Sequence, residues 1–188
     1  DMITQFHSSI SAQGITGGGL IEVSGKSSLL YDGTANTRSA DGSAGVLLLD
    51  PRNLTINGNA NTAANLNDGT LEAALANNNV VISTFDSGVN QEGYIRLNGG
   101  AGGGHVTWNS DFSLTLLAEG DLFVGRDIIN TGSGSVNLVA GWDSTNAPLG
   151  SIVAGTASGY PLNTSTFPEG DIVDMDATFF DHVDFATR

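Results

Sequence analysis

The apolar residues of this chain come in bursts too short to build helices. They read "LIEV" at 20, "VLLLD" at 46, "LTI" at 54, "VVIS" at 80, "YIRL" at 94, "VTW" at 106, "LTLL" at 114, "LFV" at 122, "II" at 128, "VNLV" at 136, "SIVA" at 151 and "DIVDM" at 171. Nearly all are bounded by Gly, Asn, Asp or Ser, and many alternate apolar with polar, which is the pattern of strands closed by turns. Between 106 and 139 the bursts follow one another at short, nearly even spacing, starting at Val106, Leu114, Leu122, Ile128 and Val136. Two or three of them make up the length of a stacked repeat, and strands without intervening helices point to a coil whose turns are rungs. "GGHVTW" and "SGSVNL" set the same small-x-Val-polar-apolar pattern at Val106 and again at Val136, which favours rungs over a sandwich. The expected class is all-β, a parallel β-helix (β-solenoid). At about 20 residues per coil and about 4.8 Å per strand, roughly seven to nine coils would make a rod on the order of 40 Å long.

Leu, Ile, Val and Phe make 49 of the 188 residues, enough to bury a core, and the length suits one domain. Gly, Ser, Thr and Asn total 78 while Lys and Arg total 6, so the surface is neutral and turn-rich. A formal charge of −14 with no basic patch argues against a nucleic-acid partner. The chain has no cysteine, which excludes disulfides and thiolate metal sites. No run approaches the length of a membrane span, so no membrane insertion is expected. "DMITQFHSSI" lacks the basic start and apolar centre of a signal peptide, and the chain reads as a mature piece or an excised segment.

One stretch departs from the strand pattern. In "NDGTLEAALANNN", 67 to 79, Leu71, Ala74 and Leu75 fall at i, i+3 and i+4, and Asp68 or Thr70 can cap the start. This predicts a short helix near 69–77 against the side of the coil or over a gap in it. Coils are expected over 1–150, followed at 151–188 by a terminal coil and an acidic tail of the same domain. The tail holds Glu169, Asp171, Asp174, Asp176, Asp181 and Asp184.

"GGGLIEVSGKSSLLYDG", from residue 17, followed by "TANTRSADGSAGVLLLDPRNLTI", resembles the filamentous-haemagglutinin-type exoproteins of bacterial two-partner secretion. The match lies in Gly18, Gly19, Glu22, Val23, Ser24, Gly25 and Lys26, then Gly45, Leu47, Leu48, Leu49, Asp50, Pro51, Asn53, Thr55 and Ile56. It continues more loosely to Trp142 and stops by Pro148. The resemblance implies a right-handed parallel β-helix within a large protein, secreted and held at the bacterial surface or released. Adhesion, aggregation or biofilm formation is the implied role. The outer-membrane transporter would be engaged by a part outside this chain, since no secretion domain is found in it.

Lys26 is the only lysine, and a water-facing turn residue after Gly25 is the simpler reading than an anchoring or cross-linking one. Asp171, Asp174 and Asp176 are the weak Ca²⁺ candidate, although their spacing fits neither an EF-hand nor a glycine-rich calcium repeat. No other metal or cofactor is expected. Glu92, Asp111, Glu119, Asp121 and Asp127 are the carboxylates a sugar-cleaving β-helix would draw on, with only Arg96 and Arg126 near; none sits in a motif, and no catalysis is expected. His7, His105 and His182 are dispersed. "NGGAGGGH", 98 to 105, lacks the Lys of a phosphate loop and reads as a tight corner. Trp108 and Trp142, with Tyr94 and Tyr160, are the possible glycan contacts, against the alternative that such aromatics fill a core. The expected function is a structural and adhesive segment that meets a surface receptor, a glycan or copies of itself end to end. The rivals are a self-assembling filament subunit using strand addition and, more remotely, a carbohydrate-active enzyme.

Overall fold

A computed structural model describes residues 3–25, 27–40, 44–85, 93–99 and 103–142, together with the backbone of two short strands at Ile172–Asp174 and Val183–Asp184. The fold is parallel β-strands in stacked sheets with one helix. Of the apolar bursts, all but "SIVA" at 151, which lies outside the described residues, fall on strands, and further strands lie outside the bursts: β1 Thr4–Phe6, β2 Ser9–Ser11, β3 Leu20–Gly25, β4 Leu29–Tyr31, β5 Thr34–Asn36, β6 Val46–Pro51, β7 Leu54–Asn57 and β8 Asn65–Asn67. After helix α1, Asp68–Leu75, come β9 Asn79–Ser83, β10 Ile95–Leu97, β11 Val106–Trp108, β12 Leu114–Leu117, β13 Leu122–Val124, β14 Ile128–Asn130 and β15 Val136–Val139. The two strands beyond are β16, Ile172–Asp174, and β17, Val183–Asp184.

Sheet order shows how the chain is wound. One five-stranded sheet runs β15-β12-β9-β6-β3, so that each strand pairs with the one three places away in sequence. A second runs β16-β13-β10-β7-β8, and a third β11-β14-β17, with two-stranded sheets β1-β4 and β2-β5. Every pairing among these strands is parallel. Strands three places apart in sequence therefore lie side by side through most of these sheets, one pairing per level, except that β8 pairs with its immediate predecessor β7. Of the two five-stranded sheets, β15-β12-β9-β6-β3 has the longer strands and is the longest sheet. The length of chain between levels is not constant. In that sheet Leu20 lies against Val46, Val46 against Asn79, Val80 against Leu114 and Leu114 against Val136, so the spacing widens through the middle levels and narrows again at the top. Among the described residues the chain per level is thus longer than the coil expected from the sequence, because corners and a helix consume residues between strands.

The repeat drawn between "GGHVTW" and "SGSVNL" is corrected as well. Val106 pairs with Ile128 while Val136 pairs with Leu114, so the two valines lie in different sheets. The level there comprises three bursts, and equivalent positions are those the strand pairing defines.

The interior is filled by residues that stack on their own kind. Ile21, Leu47, Val80, Leu114 and Val136 form one column; Val23, Leu49, Ile82, Leu116 and Leu138 form the next. All ten are buried in one cluster with the inward residues of the other sheets. Burying a branched side chain of this size contributes about 1.5–3 kcal/mol. Glycines mark corners where levels come too close for a side chain: a Cβ on Gly45 would meet the Gly19 carbonyl oxygen at 1.9 Å, and one on Gly18 the Thr37 carbonyl oxygen at 1.7 Å.

Helix α1 stands between β5 and β11, where the third sheet has no strand among the described residues. Its cap is Asn67, whose side chain accepts from Thr70 N at 3.2 Å; Asp68 and Thr70 lie inside the first turn. Leu71, Ala74 and Leu75 are its buried face. A helix cannot hydrogen-bond to strand edges through its backbone, so side chains do it. Asp68 and Glu72 accept from the backbone N–H groups of Gly104 and Thr107, on the β11 side. On the β5 side, Asn78, fully buried, accepts from Thr37 N at 2.9 Å and donates to the carbonyl oxygens of Ala35 (3.0 Å) and Ala74 (2.8 Å). Its amide imitates the peptide group of an absent strand. Asn78→Ala is expected to lower unfolding free energy by about 2–4 kcal/mol, since Thr37 N and the Ala35 carbonyl oxygen lose their partner in a dry place, while the Ala74 carbonyl oxygen keeps the backbone N–H groups of Asn77 and Asn78. Urea denaturation measures it, and a loss under about 0.5 kcal/mol would contradict the role.

Candidate functional site

Outside the core, level is tied to level by side chains at the same offsets as the strands. At an offset of 22, His105 Nδ1 lies 2.8 Å from Asp127 Oδ2, Ser133 Oγ donates to Asp111 Oδ1 at 2.6 Å, and Asn137 Nδ2 donates to Thr115 Oγ1 at 3.1 Å. At 41, Tyr94 N donates to Asn53 Oδ1 at 3.0 Å and Asn57 Nδ2 to Asn98 Oδ1 at 3.2 Å. Ser9 and Thr34, 25 apart, share a hydroxyl pair at 2.7 Å. Asn, Ser and Thr dominate this chain because each can donate or accept toward the level above or below without a net charge.

Two surface features could meet a ligand. The first is a groove of about 460 Å³ between α1 and the β4–β5 corner, lined by Asp32, Gly33, Thr34, Asn67, Thr70 and Asn77 among others. Asn61 Nδ2 bridges its two walls, donating to Asp32 Oδ1 at 2.9 Å and Thr70 Oγ1 at 2.8 Å. His7 Nδ1 lies 3.5 Å from Asp32 Oδ2, with both side chains about half exposed. The second is a half-buried aromatic patch. On the outer side of β10 and β13, Thr55, Arg96 and Phe123 fall in one column, and the Arg96 guanidinium lies 4.7 Å from the centroid of the Phe123 ring and 5.2 Å from that of Tyr94. Arg96 Nε is buried without a hydrogen-bond partner, so the rings hold this side chain in place. Phe123 carried no signal in the sequence; only the pairing of β10 with β13 brings it to Arg96.

The residues singled out in the sequence do not converge on one place. Trp108 is 5% exposed and its indole N–H donates to the Phe112 carbonyl oxygen at 2.8 Å, inside the main core. Trp142 is 6% exposed and packs on Leu48, Val81 and Leu117 on the outer face of the longest sheet. Neither indole is open for a sugar to stack on; both are packing residues. Tyr94 alone of the described members of that aromatic set lies in a surface patch. Of the carboxylates, Asp111 and Asp127 accept from the neighbouring level, as above. Arg126 packs beneath the glycine corner, where Gly104 has φ +93° and a Cβ would meet the Asn98 carbonyl oxygen at 1.9 Å. Asp174 ends β16 opposite Val124. Lys26, Glu92, Tyr160, Asp171, Asp176 and His182 lie outside the described residues. Among the described residues no three His, Asp or Glu side chains form a group fit for a metal ion, and no helix is long and apolar enough to cross a membrane.

No family model matches the chain, and neither a curated protein nor a solved structure matches it.

Tyr31 forms part of the inner wall of the groove. It stacks on Phe6, ring centroids 5.5 Å apart at 11°, and its hydroxyl is buried with no partner. Burial pushes its pKa from 10.0 up to about 12. The folded pKa is raised, so its stabilising contribution is complete below pH 10 and is lost as pH rises toward 12. Tyr31→Phe is expected to leave neutral-pH stability unchanged or slightly raised, because the hydroxyl makes no bond to lose. It should also shift the alkaline unfolding midpoint upward, as read by circular dichroism against pH; an unshifted midpoint would show that Tyr31 does not drive alkaline unfolding.

Proposed function

We propose that this chain is a right-handed parallel β-helix, a β-solenoid segment of a large secreted bacterial surface exoprotein of the filamentous-haemagglutinin type, with a structural and adhesive role and no catalysis. The single observation behind the coil is the pairing of strands three places apart, carried through the levels by columns of like residues. Right-handedness follows from the strong preference of parallel crossovers for that hand. The resemblance in "GGLIEVSGK" and "GVLLLDPRNLTI" supports the exoprotein class, and the structure gives those residues a physical reason: Gly18 and Gly45 are close-approach corners, and β3 pairs with β6 along the full length of each. The engagement of Asp111 and Asp127 in level-to-level bonds supports a structural rather than catalytic use of these carboxylates.

Adhesion needs a surface that meets something else, and the Tyr94–Arg96–Phe123 patch is the best fitted. Its rings offer apolar faces and edges and its guanidinium offers donors, the combination that takes a glycan or a receptor loop. Particles coated with the chain are expected to bind glycan arrays or cell surfaces. The pair Arg96→Ala and Phe123→Ala should reduce that binding about tenfold or more, with an unchanged circular dichroism spectrum. Absence of binding by the unaltered chain to every surface presented would overturn the adhesive reading, and full binding by the variant would move the contact elsewhere on the rod.

A further inference from the structure

We infer that the groove between α1 and the β4–β5 corner is a second binding site, separate from the Tyr94–Arg96–Phe123 patch, and that it takes an uncharged glycan. Asp32, Gly33 and Thr34 line it on the corner side, and Thr70, Ala73 and Asn77 on the helix side. Its volume of about 460 Å³ falls within the range of small-molecule sites, about 300–1,000 Å³. Both walls belong to elements held by neighbours: β4 pairs with β1, β5 with β2, and β8, which leads into α1, with β7. The patch lies on other strands, β10 and β13, so the two sites do not share a residue.

The hydrogen bonds already made show what is left for a ligand. Asn61 straps the walls together: it donates to Asp32 Oδ1 and Thr70 Oγ1 and accepts from Asn67 N at 2.7 Å, which engages both its donors and its carbonyl oxygen. The walls are thus fixed before anything binds, which lowers the ordering cost of a ligand. Asp32 keeps lone pairs beyond the one given to Asn61, and Thr70, an acceptor toward Asn61, keeps its hydroxyl hydrogen. Asn77 donates through its backbone N–H to the Ala74 carbonyl oxygen, but its side-chain amide makes no hydrogen bond among the described residues. Acceptors on one wall therefore face donors and a further acceptor on the other. A sugar hydroxyl, which donates and accepts at once, matches that mixture, and the Asp32 carboxylate can accept from two neighbouring hydroxyls in charge-assisted bonds.

Other ligand classes fit less well. An anion would meet the Asp32 carboxylate and no arginine or lysine in the lining, within a chain of net charge −14. A metal ion would find one carboxylate, whose side chain is 55% exposed, where a hard cation needs six or so oxygen ligands. An extended peptide would need a strand edge to pair with. The edge above β5 is already taken, because Asn78 accepts from Thr37 N and donates to the Ala35 carbonyl oxygen.

Amide NMR of the 188-residue chain, titrated with the methyl glycosides of glucose, mannose and galactose, with their disaccharides, and with glucuronate as the charged comparison, tests this. At least one neutral sugar is expected to move the signals of Gly33, Thr34, Thr70 and Asn77, with a Kd of about a millimolar, and to bind more tightly than glucuronate. Ala73→Gln puts a longer side chain into the groove from an exposed helix position that Gln suits, and removes no bond. It should weaken binding about tenfold or more, as should Asn77→Ala, while the pair Arg96→Ala and Phe123→Ala should leave it unchanged. The site would be overturned by an absence of shifts with every neutral sugar, by shifts that vanish in the Arg96 and Phe123 variant, or by tighter binding of glucuronate. Binding by Ala73→Gln or Asn77→Ala equal to that of the parent would overturn it as well.

Discussion

The structure depends on main-chain hydrogen bonds that run between levels rather than within them. A parallel strand satisfies its N–H and C=O groups only through neighbours on both sides, so each level is held by the one before and the one after. Stability in such an arrangement is carried by nearest neighbours, and a defect at one level is felt at the next. This is why the columns are chemically uniform. Leu114 lies between Val80 and Val136, and Leu116 between Ile82 and Leu138; a polar residue at any of these positions would be buried with apolar groups above and below.

The helix shows what this constraint costs when it is broken. Between β5 and β11 no strand among the described residues receives the edges on either side. Four side-chain groups substitute: the carboxylates of Asp68 and Glu72 toward β11, and the two ends of the Asn78 amide toward β5. Arg38 adds a bond from Nη2 to the Ala76 carbonyl oxygen at 2.8 Å, closing the last turn of the helix. The level that contains the helix therefore takes more chain than the level below it, and it is also the place where the groove opens.

The sequence disclosed the helix, β3, β6, β7 and the strands from β9 to β16, but β1, β2, β5, β8 and β17 carry no apolar burst of their own, and the stacking was disclosed only partly. Bursts bounded by Gly, Asn and Asp fell on strands because turns need those residues, and "TLEAAL" fell on the helix because its apolar spacing is helical. The length of chain per level was not legible, since corners of unequal length interrupt any fixed period. That is how Val106 and Val136 came to look equivalent when Val106 stacks on Ile128. The two tryptophans were ambiguous for a related reason: an aromatic that ends a burst can face either side of the sheet, and only the register decides. The Tyr94–Arg96–Phe123 patch was invisible because its members are joined across levels, through the pairing of Arg96 with Phe123.

One compositional signal reads more sharply with the structure in hand. "VLLLD", "NVVIS" and "LTLL" are buried at successive residues, Thr115 included, whereas "LIEVSG", "IRL" and "LFV" alternate buried inward residues with outward ones that are more exposed. A strand with one wet face should alternate, and one buried on both faces need not. The continuous runs are β6, β9 and β12, the three central strands of the longest sheet. Their outward residues Leu48, Val81 and Leu117 are buried with Trp142 in a second cluster, separate from the interior columns. The edge strand β3 keeps the alternation, with Glu22 in the same column as Leu48 and Val81. Unbroken burial along a strand therefore marks the part of the sheet that is covered outside as well as in, and the return of alternation at β3 marks where that cover ends.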